Sequence, residues 1–409
     1  MTDYHRFLSA TGRQLTESAI RRMGTVVARD GDMVSFAPGY PDPALFPWND
    51  LRAIAAELLT GKDPNALQYG PTRGHGPLLE AIVGILQTRD IDVNGDHLLI
   101  TSGSQQGIDL IARVMIDPGD VVLVELPTFT GGIAAFKNMQ AELVGVQQEA
   151  DGISLEHLEE VWGRQRAAGK TVKLLYIIPN FQNPTGLLLG LAKRPKLLEW
   201  AERRDVLIVE DDPYGSLYFD DVAAAADTRP LRSSARSGRV LYLSTFSKTL
   251  APGFRVGWMV APPQLVERFE TAKQSTDLTS GILDQHVVYE AVRRGVVDRL
   301  APQLRALYRH KRDVMEQSIR EHLGTRLTWA APKGGFFIWA SLPEGCTDTA
   351  LLERALEHGL VFVIGSAFFV DGSGHEKIRL SFSAPSPERI TEGVKRLAAA
   401  LVAQAAAAR

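Results

Sequence analysis

The sequence has very little cysteine and no long hydrophobic run, and both shortages narrow what the protein can be. Its 409 residues include a single cysteine, Cys346, which cannot form an internal disulfide and has no companions at metal-ligand spacing. We therefore expect a reducing, cytoplasmic location and no metal site. Nowhere do about 18 uninterrupted apolar residues occur, and Met1–Arg22 lacks the apolar core of a secretory signal. We expect neither a membrane span nor export.

Charge of one sign is not in excess either. The chain has 45 basic and 48 acidic side chains, a formal net charge of -3, and the two signs are mixed along its length. No basic stripe favours nucleic acid, and no acidic tail favours a solvating arm. The first loop signal is Gly39–Pro43, and the stretch before it is too short for a winged-helix or similar module, so we expect no DNA-binding module.

Short apolar runs alternate with helical segments through the middle of the chain. This alternation predicts a mainly parallel sheet covered by helices on both faces. The predicted strands are His97–Thr101, Val121–Glu125, Lys173–Ile178, Val206–Glu210 and Val240–Thr245. A long helical connector, Asp284–Glu321, is predicted to follow. Beyond it, a separate C-terminal unit is predicted from three strands and a final helix that starts at Pro387; the strands are Gly335–Ser341, Val361–Ile364 and Ile378–Ser383.

Polar and aromatic side chains follow the first three predicted strands of the sheet. In an α/β sheet, ligands bind beyond the carboxyl ends of the strands, so these residues are candidates for chemistry. Ser102–Gly107 offers donors at the start of a helix, which suits a phosphate group but is also ordinary capping. Phe129 could stack on a flat ligand or be ordinary core. Asn183, in a proline-rich loop, can donate to an anionic oxygen.

Charged side chains follow the last two strands of the sheet. Glu210–Asp212 places three carboxylates after an aliphatic run, which is costly unless a protonated pyridine nitrogen or magnesium compensates. Lys248 lies at the edge of an apolar strand, where desolvation would lower its pKa and favour Schiff-base chemistry. Arg255 follows in the same loop. Near the C-terminus, Arg379 lies among aliphatic and aromatic neighbours, where a charge needs a partner.

Taken in order, these segments resemble the fold-type I aminotransferases of class I/II, which depend on pyridoxal 5'-phosphate (PLP), in the aminoadipate and kynurenine aminotransferase-like branch. The motifs are Asn183–Gly186, Asp211 with Tyr214, and Ser247–Lys248 with Arg255, and the likeness covers most of the chain. The resemblance implies an α/β fold with a large domain, whose mostly parallel seven-stranded sheet is flanked by helices, and a smaller α+β domain. The implied bounds are an N-terminal arm and part of the small domain at 1–47, the large PLP-binding domain at 48–295, and the C-terminal small domain at 296–409.

The resemblance also implies how the cofactor is held. Lys248 would join the cofactor aldehyde as a Schiff base and later move the substrate proton, while Asp211 would keep the pyridine nitrogen protonated. Asn183 and Tyr214 would donate to the phenolate oxygen of the ring. Phe129 would stack on the ring, where many relatives carry tyrosine. The phosphate would be bound by Ser104, Gln105, Thr245, Ser247 and Arg255, with Tyr69 reaching in from the neighbouring subunit.

A second set of residues is implied for the substrate. Arg379 would bind the α-carboxylate through two hydrogen bonds, a structural ion pair being the alternative, and Asn183 and Gly39 would approach the same group. Arg21 would shape the distal end of the substrate, although surface arginines at helix starts are equally common. Tyr69 implies a homodimer with shared active sites, whereas a buried core tyrosine is the alternative.

The predicted reaction is the exchange of an amino group between an L-amino acid and a 2-oxo acid, by a ping-pong mechanism, in amino-acid metabolism or biosynthesis. The same cofactor and residues would also serve a lyase, decarboxylase, cyclase or oxidase, so the motifs leave these open. A PLP-sensing transcription regulator would need a DNA-binding module and a basic linker, which the sequence does not show. Aromatic, aminoadipate-like, branched-chain, alanine and glutamate donors are all compatible.

Overall fold

The computed structural model describes residues 2–15 and 32–407. Its strands are β1 (Val34–Ser35), β2 (Leu98–Thr101), β3 (Val121–Leu126), β4 (Glu142–Glu149), β5 (Gly152–Ile153), β6 (Val172–Ile177), β7 (Leu207–Asp211), β8 (Val240–Thr245), β9 (Gly257–Val260), β10 (Thr328–Trp329), β11 (Phe337–Ser341), β12 (Leu360–Val361), β13 (Val363–Ile364) and β14 (Lys377–Ser381). Its α-helices are Ala10–Gln14, Trp48–Thr60, Gly76–Gln87, Ser104–Met115, Thr130–Asn138, Leu155–Ala167, Lys193–Arg204, Pro263–Gln274, Ile282–Arg293, Val296–Leu323, Asp348–Glu357 and Pro387–Ala407. None of these helices is long and apolar enough to cross a membrane.

A large sheet runs through the middle of the chain in the order β2-β9-β8-β7-β6-β3-β4-β5. The neighbours from β8 through β4 pair in parallel, and β9 and β5 run antiparallel to the strands beside them. The predicted α/β fold with a mostly parallel sheet is confirmed. The expected count of seven strands is wrong, because the two-residue strand β5 folds back on β4 and makes an eighth.

The sheet is buried because its central strands carry apolar side chains toward both faces. Successive side chains of a strand point to opposite faces, and the neighbours Leu174 and Leu175 of β6 accordingly lie in two different hydrophobic clusters. Every residue of β8 is buried. Helices therefore cover both faces, as the near-continuous aliphatic strands predicted.

The C-terminal part of the chain forms a smaller unit around the sheet β10-β11-β14-β13, whose neighbours all pair antiparallel. Strand β1 pairs in parallel with β12, so an N-terminal segment joins this unit. The predicted single connector at Asp284–Glu321 is wrong: helix Ile282–Arg293 ends before Gly295, and helix Val296–Leu323 starts after it. Gly295 has φ +66°, a left-handed conformation that interrupts a right-handed helix.

The parallel strands bring the candidate residues to one edge of the large sheet. Strands β3, β6, β7 and β8 all end on that side, and β2 runs in the same direction because both β2 and β8 pair antiparallel with β9. The segments that leave these strands therefore meet, as they do at the carboxyl edge of other parallel sheets.

Candidate active site

The three acids at the end of β7 have separate sets of partners. Asp212 accepts hydrogen bonds from Arg89 Nη1 at 2.8 Å and Asn180 Nδ2 at 2.9 Å. Glu210 accepts from two backbone N–H groups of the loop that follows. Alternation along the strand turns Asp211 away from both neighbours. Residues of the chain itself therefore offset the unfavourable burial of Glu210 and Asp212.

Asp211 keeps one carboxylate oxygen without a partner. Tyr176 donates its hydroxyl to Asp211 Oδ2 at 2.8 Å, while buried Oδ1 accepts no hydrogen bond from the described residues. Burial raises the pKa of Asp211 to about 7, and the Tyr176 hydrogen bond opposes that rise. Buried carboxylate oxygens rarely lack a donor, so Oδ1 suits a cationic N–H group of a ligand. This orphaned oxygen fits the protonated pyridine nitrogen of PLP.

Lys248 follows β8 and faces the same space. Its Nζ donates to the carbonyl oxygen of Gly39 at 2.9 Å and lies 6.0 Å from the ring centroid of Tyr214. Burial lowers the pKa of Lys248 to about 8; the positive charges of Arg255 and Arg379 add to this effect, and Asp211 opposes it. An amine with such a pKa is partly neutral, and therefore nucleophilic, near physiological pH.

Aromatic rings enclose the space around Lys248. Tyr214 is 4% exposed and packs edge-on against Phe336 and Phe337, with centroid distances of 5.4 and 6.0 Å. Burial raises the pKa of the Tyr214 hydroxyl, so this group stays a neutral donor at physiological pH. A Cβ atom on Gly39 would lie 2.6 Å from Cζ of Phe337, so only glycine lets the backbone come this close to the ring.

Arg379 is brought to the site from β14. Its Nη1 donates to Asn183 Oδ1 at 2.8 Å, and its Nη2 donates to the carbonyl oxygen of Ala37. The guanidinium stacks over Phe337 and Phe368, at 4.3 and 5.1 Å from their ring centroids. Burial lowers its pKa to about 9, while Tyr214 opposes this fall. Arg379 forms no ion pair with a carboxylate of the described residues, so the structural ion pair considered above is not observed there.

A second group of donors surrounds Arg255. Its Nη1 donates to Ser247 Oγ at 3.2 Å, its Nη2 donates to the carbonyl oxygen of Ser102 at 3.2 Å, and Thr245 Oγ1 donates to Ser247 Oγ at 2.8 Å. Gly103 has φ +74°, and a Cβ there would lie 2.4 Å from Arg255 Nη2. The hydroxyls of Thr245 and Ser247 and the guanidinium of Arg255 thus converge, and donors of these kinds suit an anion.

The helix Ser104–Met115 begins beside this group, and no side chain caps the backbone N–H groups of its first turn. Gln105 Nε2 donates to the carbonyl oxygen of Gly131 at 3.0 Å. A Cβ on Gly131 would lie 2.3 Å from Gln105 Oε1 and 2.4 Å from Phe129 Cε1. The helix start and the part-buried ring of Phe129, which also packs against a hydrophobic cluster, therefore lie side by side.

Two predicted site residues are not assembled within the described chain. Tyr69 is 79% exposed, so the alternative of a buried core tyrosine is wrong, and its side chain is open to another molecule. Arg21 lies outside the described residues. Sequence reasoning also missed Tyr176, the donor to Asp211. The available signal was a lone hydroxyl-bearing residue in the otherwise aliphatic end of β6.

The chain belongs to the family Aminotransferase class I and II, whose model matches residues 40–397. It is 38% identical to aromatic-amino-acid aminotransferase 1 of Thermococcus litoralis, over 97% of this chain and 94% of that protein. It is also 38% identical to 2-aminoadipate transaminase of Thermus thermophilus, over 97% and 96% of the two chains. The crystal structure of Pyrococcus horikoshii kynurenine aminotransferase, in complex with PMP, is similar with a TM-score of 0.92 and 38% identity, over 98% of each chain.

These relatives confirm the expected branch and the expected cofactor. The protein is a PLP-dependent aminotransferase, and transamination is supported over lyase, decarboxylase, cyclase, oxidase or regulatory activity. The residues present fit the cofactor, because Asp211 has an orphaned buried carboxylate oxygen, Arg255 lies beside the Ser247 hydroxyl, and the charges of both residues act on Lys248.

Proposed function

We propose that this aminotransferase takes its amino group from an L-amino acid with a large side chain, in the range of aromatic amino acids, kynurenine and 2-aminoadipate. The relatives named above support this range, because their names cover these three donor types. PLP, when bound, supplies an aldehyde that takes up the amino group and a protonated ring that withdraws electrons from the α-carbon. The residues of the chain bind, orient and move protons around that chemistry.

Lys248 and Asp211 are proposed as the catalytic residues, with Tyr214. Asp211 would offer its unpartnered Oδ1 to the ring nitrogen and so keep that nitrogen protonated. Lys248, with its pKa near 8, would hold the cofactor through its amine and, once the substrate amino group has displaced it, would carry the proton that leaves the α-carbon. Tyr214 and Asn183 donate to the phenolate oxygen. For Asn183 this is consistent with its Oδ1 being engaged by Arg379, which leaves Nδ2 as donor.

The phosphate site is proposed to consist of the donors that converge on Arg255. Its members are Ser104, Gln105, Thr245, Ser247 and Arg255, and Phe129 stacks on the ring beside them. The planar guanidinium of Arg255 can bind two phosphate oxygens at once, and the helix start, which no side chain caps, favours an anion.

Arg379 is proposed as the clamp for the α-carboxylate of the substrate. It is 1% exposed, and no carboxylate of the described residues pairs with it, so its charge is uncompensated until an anion arrives. Asn183 and the backbone at Gly39 approach the same group. Arg21 is proposed to contact the distal end of the substrate, on the family resemblance alone.

The enzyme is proposed to act as a homodimer in which Tyr69 reaches the phosphate of the partner subunit. The 79% exposure of this large ring supports the proposal, because such a ring gains most from being covered by another surface.

We also propose domain bounds at 1–47, 48–295 and 296–409, which the pairing of β1 with β12 and the helix break at Gly295 support. The single cysteine supports a reducing, cytoplasmic location.

The observation that carries these roles is the unpartnered, buried oxygen of Asp211 near the low-pKa amine of Lys248. The test mixes the PLP-loaded enzyme with a panel of L-amino acids and follows the cofactor spectrum. Donors with large side chains are expected to convert the bound cofactor to its amine form, and Lys248→Ala is expected to abolish the visible Schiff-base absorbance and turnover while the fold stays intact. Turnover at the normal rate in Lys248→Ala would end the assignment, and conversion by alanine alone would refute the donor range.

A further inference from the structure

A buried polar cluster lies directly behind Asn183. Gln182, which is 1% exposed, accepts hydrogen bonds at Oε1 from the backbone N–H of Thr185 at 2.9 Å and from its hydroxyl at 2.7 Å. Its Nε2 donates to the carbonyl oxygen of Pro127 at 2.8 Å. One side chain therefore joins the loop that carries Asn183 to the loop that leads into Phe129.

Glu125 extends this cluster into the sheet. Its carboxylate accepts from the backbone N–H of Ile178 at 2.9 Å, from Gln148 Nε2 at 2.9 Å and from Gln182 Nε2 at 3.4 Å. These contacts come from β4, from the end of β6 and from the loop after β6. Its partners among the described residues are neutral amides, and burial raises its pKa to about 7. The cluster thus ties β4, the end of β6 and the loop after β6 together around a buried carboxylate.

We infer that Gln182 is a positioning residue that holds Asn183 and Phe129 at a fixed separation from each other. Asn183 and Phe129 are proposed to contact two different parts of the same ring, its oxygen and its face. A ring bound by both can be held only if the two loops keep a fixed separation. The Gln182 amide is the link between them, because its oxygen binds one loop and its nitrogen the other. This inference rests on the proposed roles of Asn183 and Phe129.

A merely structural role for Gln182 makes a different prediction. If Gln182 only satisfied buried backbone groups, its loss would lower the free energy of unfolding of the protein and leave the environment of the cofactor unchanged. If it positions Asn183, its loss moves the donor to the ring oxygen. The Asn183 hydrogen bond stabilises negative charge on the ring oxygen, which lowers the pKa of the proton beside that oxygen on the bound cofactor. Displacing Asn183 therefore raises the pH midpoint of the visible absorbance.

The test compares Gln182→Ala with Gln404→Ala. Gln404 is also a buried glutamine that donates to a backbone carbonyl, that of Thr347 at 3.4 Å, but it lies on the C-terminal helix. For Gln182→Ala we expect about tenfold weaker PLP binding to the apoprotein, the effect of roughly one lost hydrogen bond, and an upward shift of the absorbance midpoint. For Gln404→Ala we expect a lower unfolding temperature with both readouts unchanged.

Two further variants keep the inference open to refutation. Thr185→Val removes a hydroxyl that donates to Gln182, and we expect it to shift the pH midpoint in the same direction but less strongly. This variant tests the positioning role if Gln182→Ala fails to fold. Asn183→Ala tests the proposed donor itself. Midpoints unchanged in Gln182→Ala and Thr185→Val, with a shifted one in Asn183→Ala, would overturn the positioning role alone. An unchanged midpoint in Asn183→Ala would instead refute the proposed role of Asn183.

Discussion

The depressed pKa of Lys248 predicts how the apoprotein captures PLP as pH changes. Only a neutral amine attacks an aldehyde, and the pKa of Lys248 is lowered from 10.5 to about 8. Since each pKa unit is a factor of ten, about one-tenth of the amine is neutral at pH 7, roughly 300 times the fraction of an ordinary lysine. We therefore expect the rate of covalent capture to rise with pH from 6 and to level off above about 8.

The assay mixes apoprotein with PLP at each pH and follows the visible absorbance, with reductive trapping and peptide mapping to identify the labelled lysine. Lys248→Ala gives the background from the other lysines, whose capture should keep rising toward pH 10. Arg379→Gln removes a positive charge that lowers the pKa of Lys248 and lies outside the proposed phosphate site, so its midpoint should be higher than that of the wild type. A wild-type midpoint near 10, or a lower midpoint in Arg379→Gln, would refute the argument from burial and charge.

Two substitutions test the partners of the ring and of the substrate. Asp211→Asn is expected to lower turnover far more than it weakens PLP binding, because an amide cannot keep the ring nitrogen protonated; equal losses in turnover and in the dissociation constant of PLP would point to a binding role only. Arg379→Lys is expected to raise KM by similar factors for every donor that has an α-carboxylate, because lysine lacks the planar two-point donor, and selective loss of one donor in steady-state assays would contradict the clamp.

Much of the fold followed from the periodicity of apolar residues. All five predicted strands of the large sheet exist, because each is an aliphatic run that both helical layers bury. Strands β4 and β9 were not predicted. Most side chains of β4 are only part-buried or exposed, so its sequence lacks the aliphatic signal of the strands inside the sheet. The break at Gly295 was missed because apolar spacing continues on both sides of a single left-handed residue.

The site was predicted in outline and not in its supporting contacts. Asp211, Lys248 and Arg255 could be found because each directly follows a strand or lies in the loop after it. Tyr176 and Gln182 act through hydrogen bonds that cross between elements, and a sequence pattern does not specify which face of a loop a side chain reaches. The three acids at the end of β7 illustrate the difference: their partners come from segments distant in the chain, such as Arg89 for Asp212.

The charges of the site have a consequence for the order of events. Arg255 and Arg379 both lower the pKa of Lys248, and each is proposed to bind an anion, the first a phosphate and the second a carboxylate. An anion bound at either arginine offsets its positive charge, so the amine becomes more basic as the site fills. The phosphate and the aldehyde belong to the same ligand, so Arg379 is the arginine whose charge is still not offset when the aldehyde arrives, and it keeps more of the Lys248 amine neutral and nucleophilic. Once the substrate carboxylate binds Arg379, Lys248 becomes a stronger base for the proton that must leave the α-carbon.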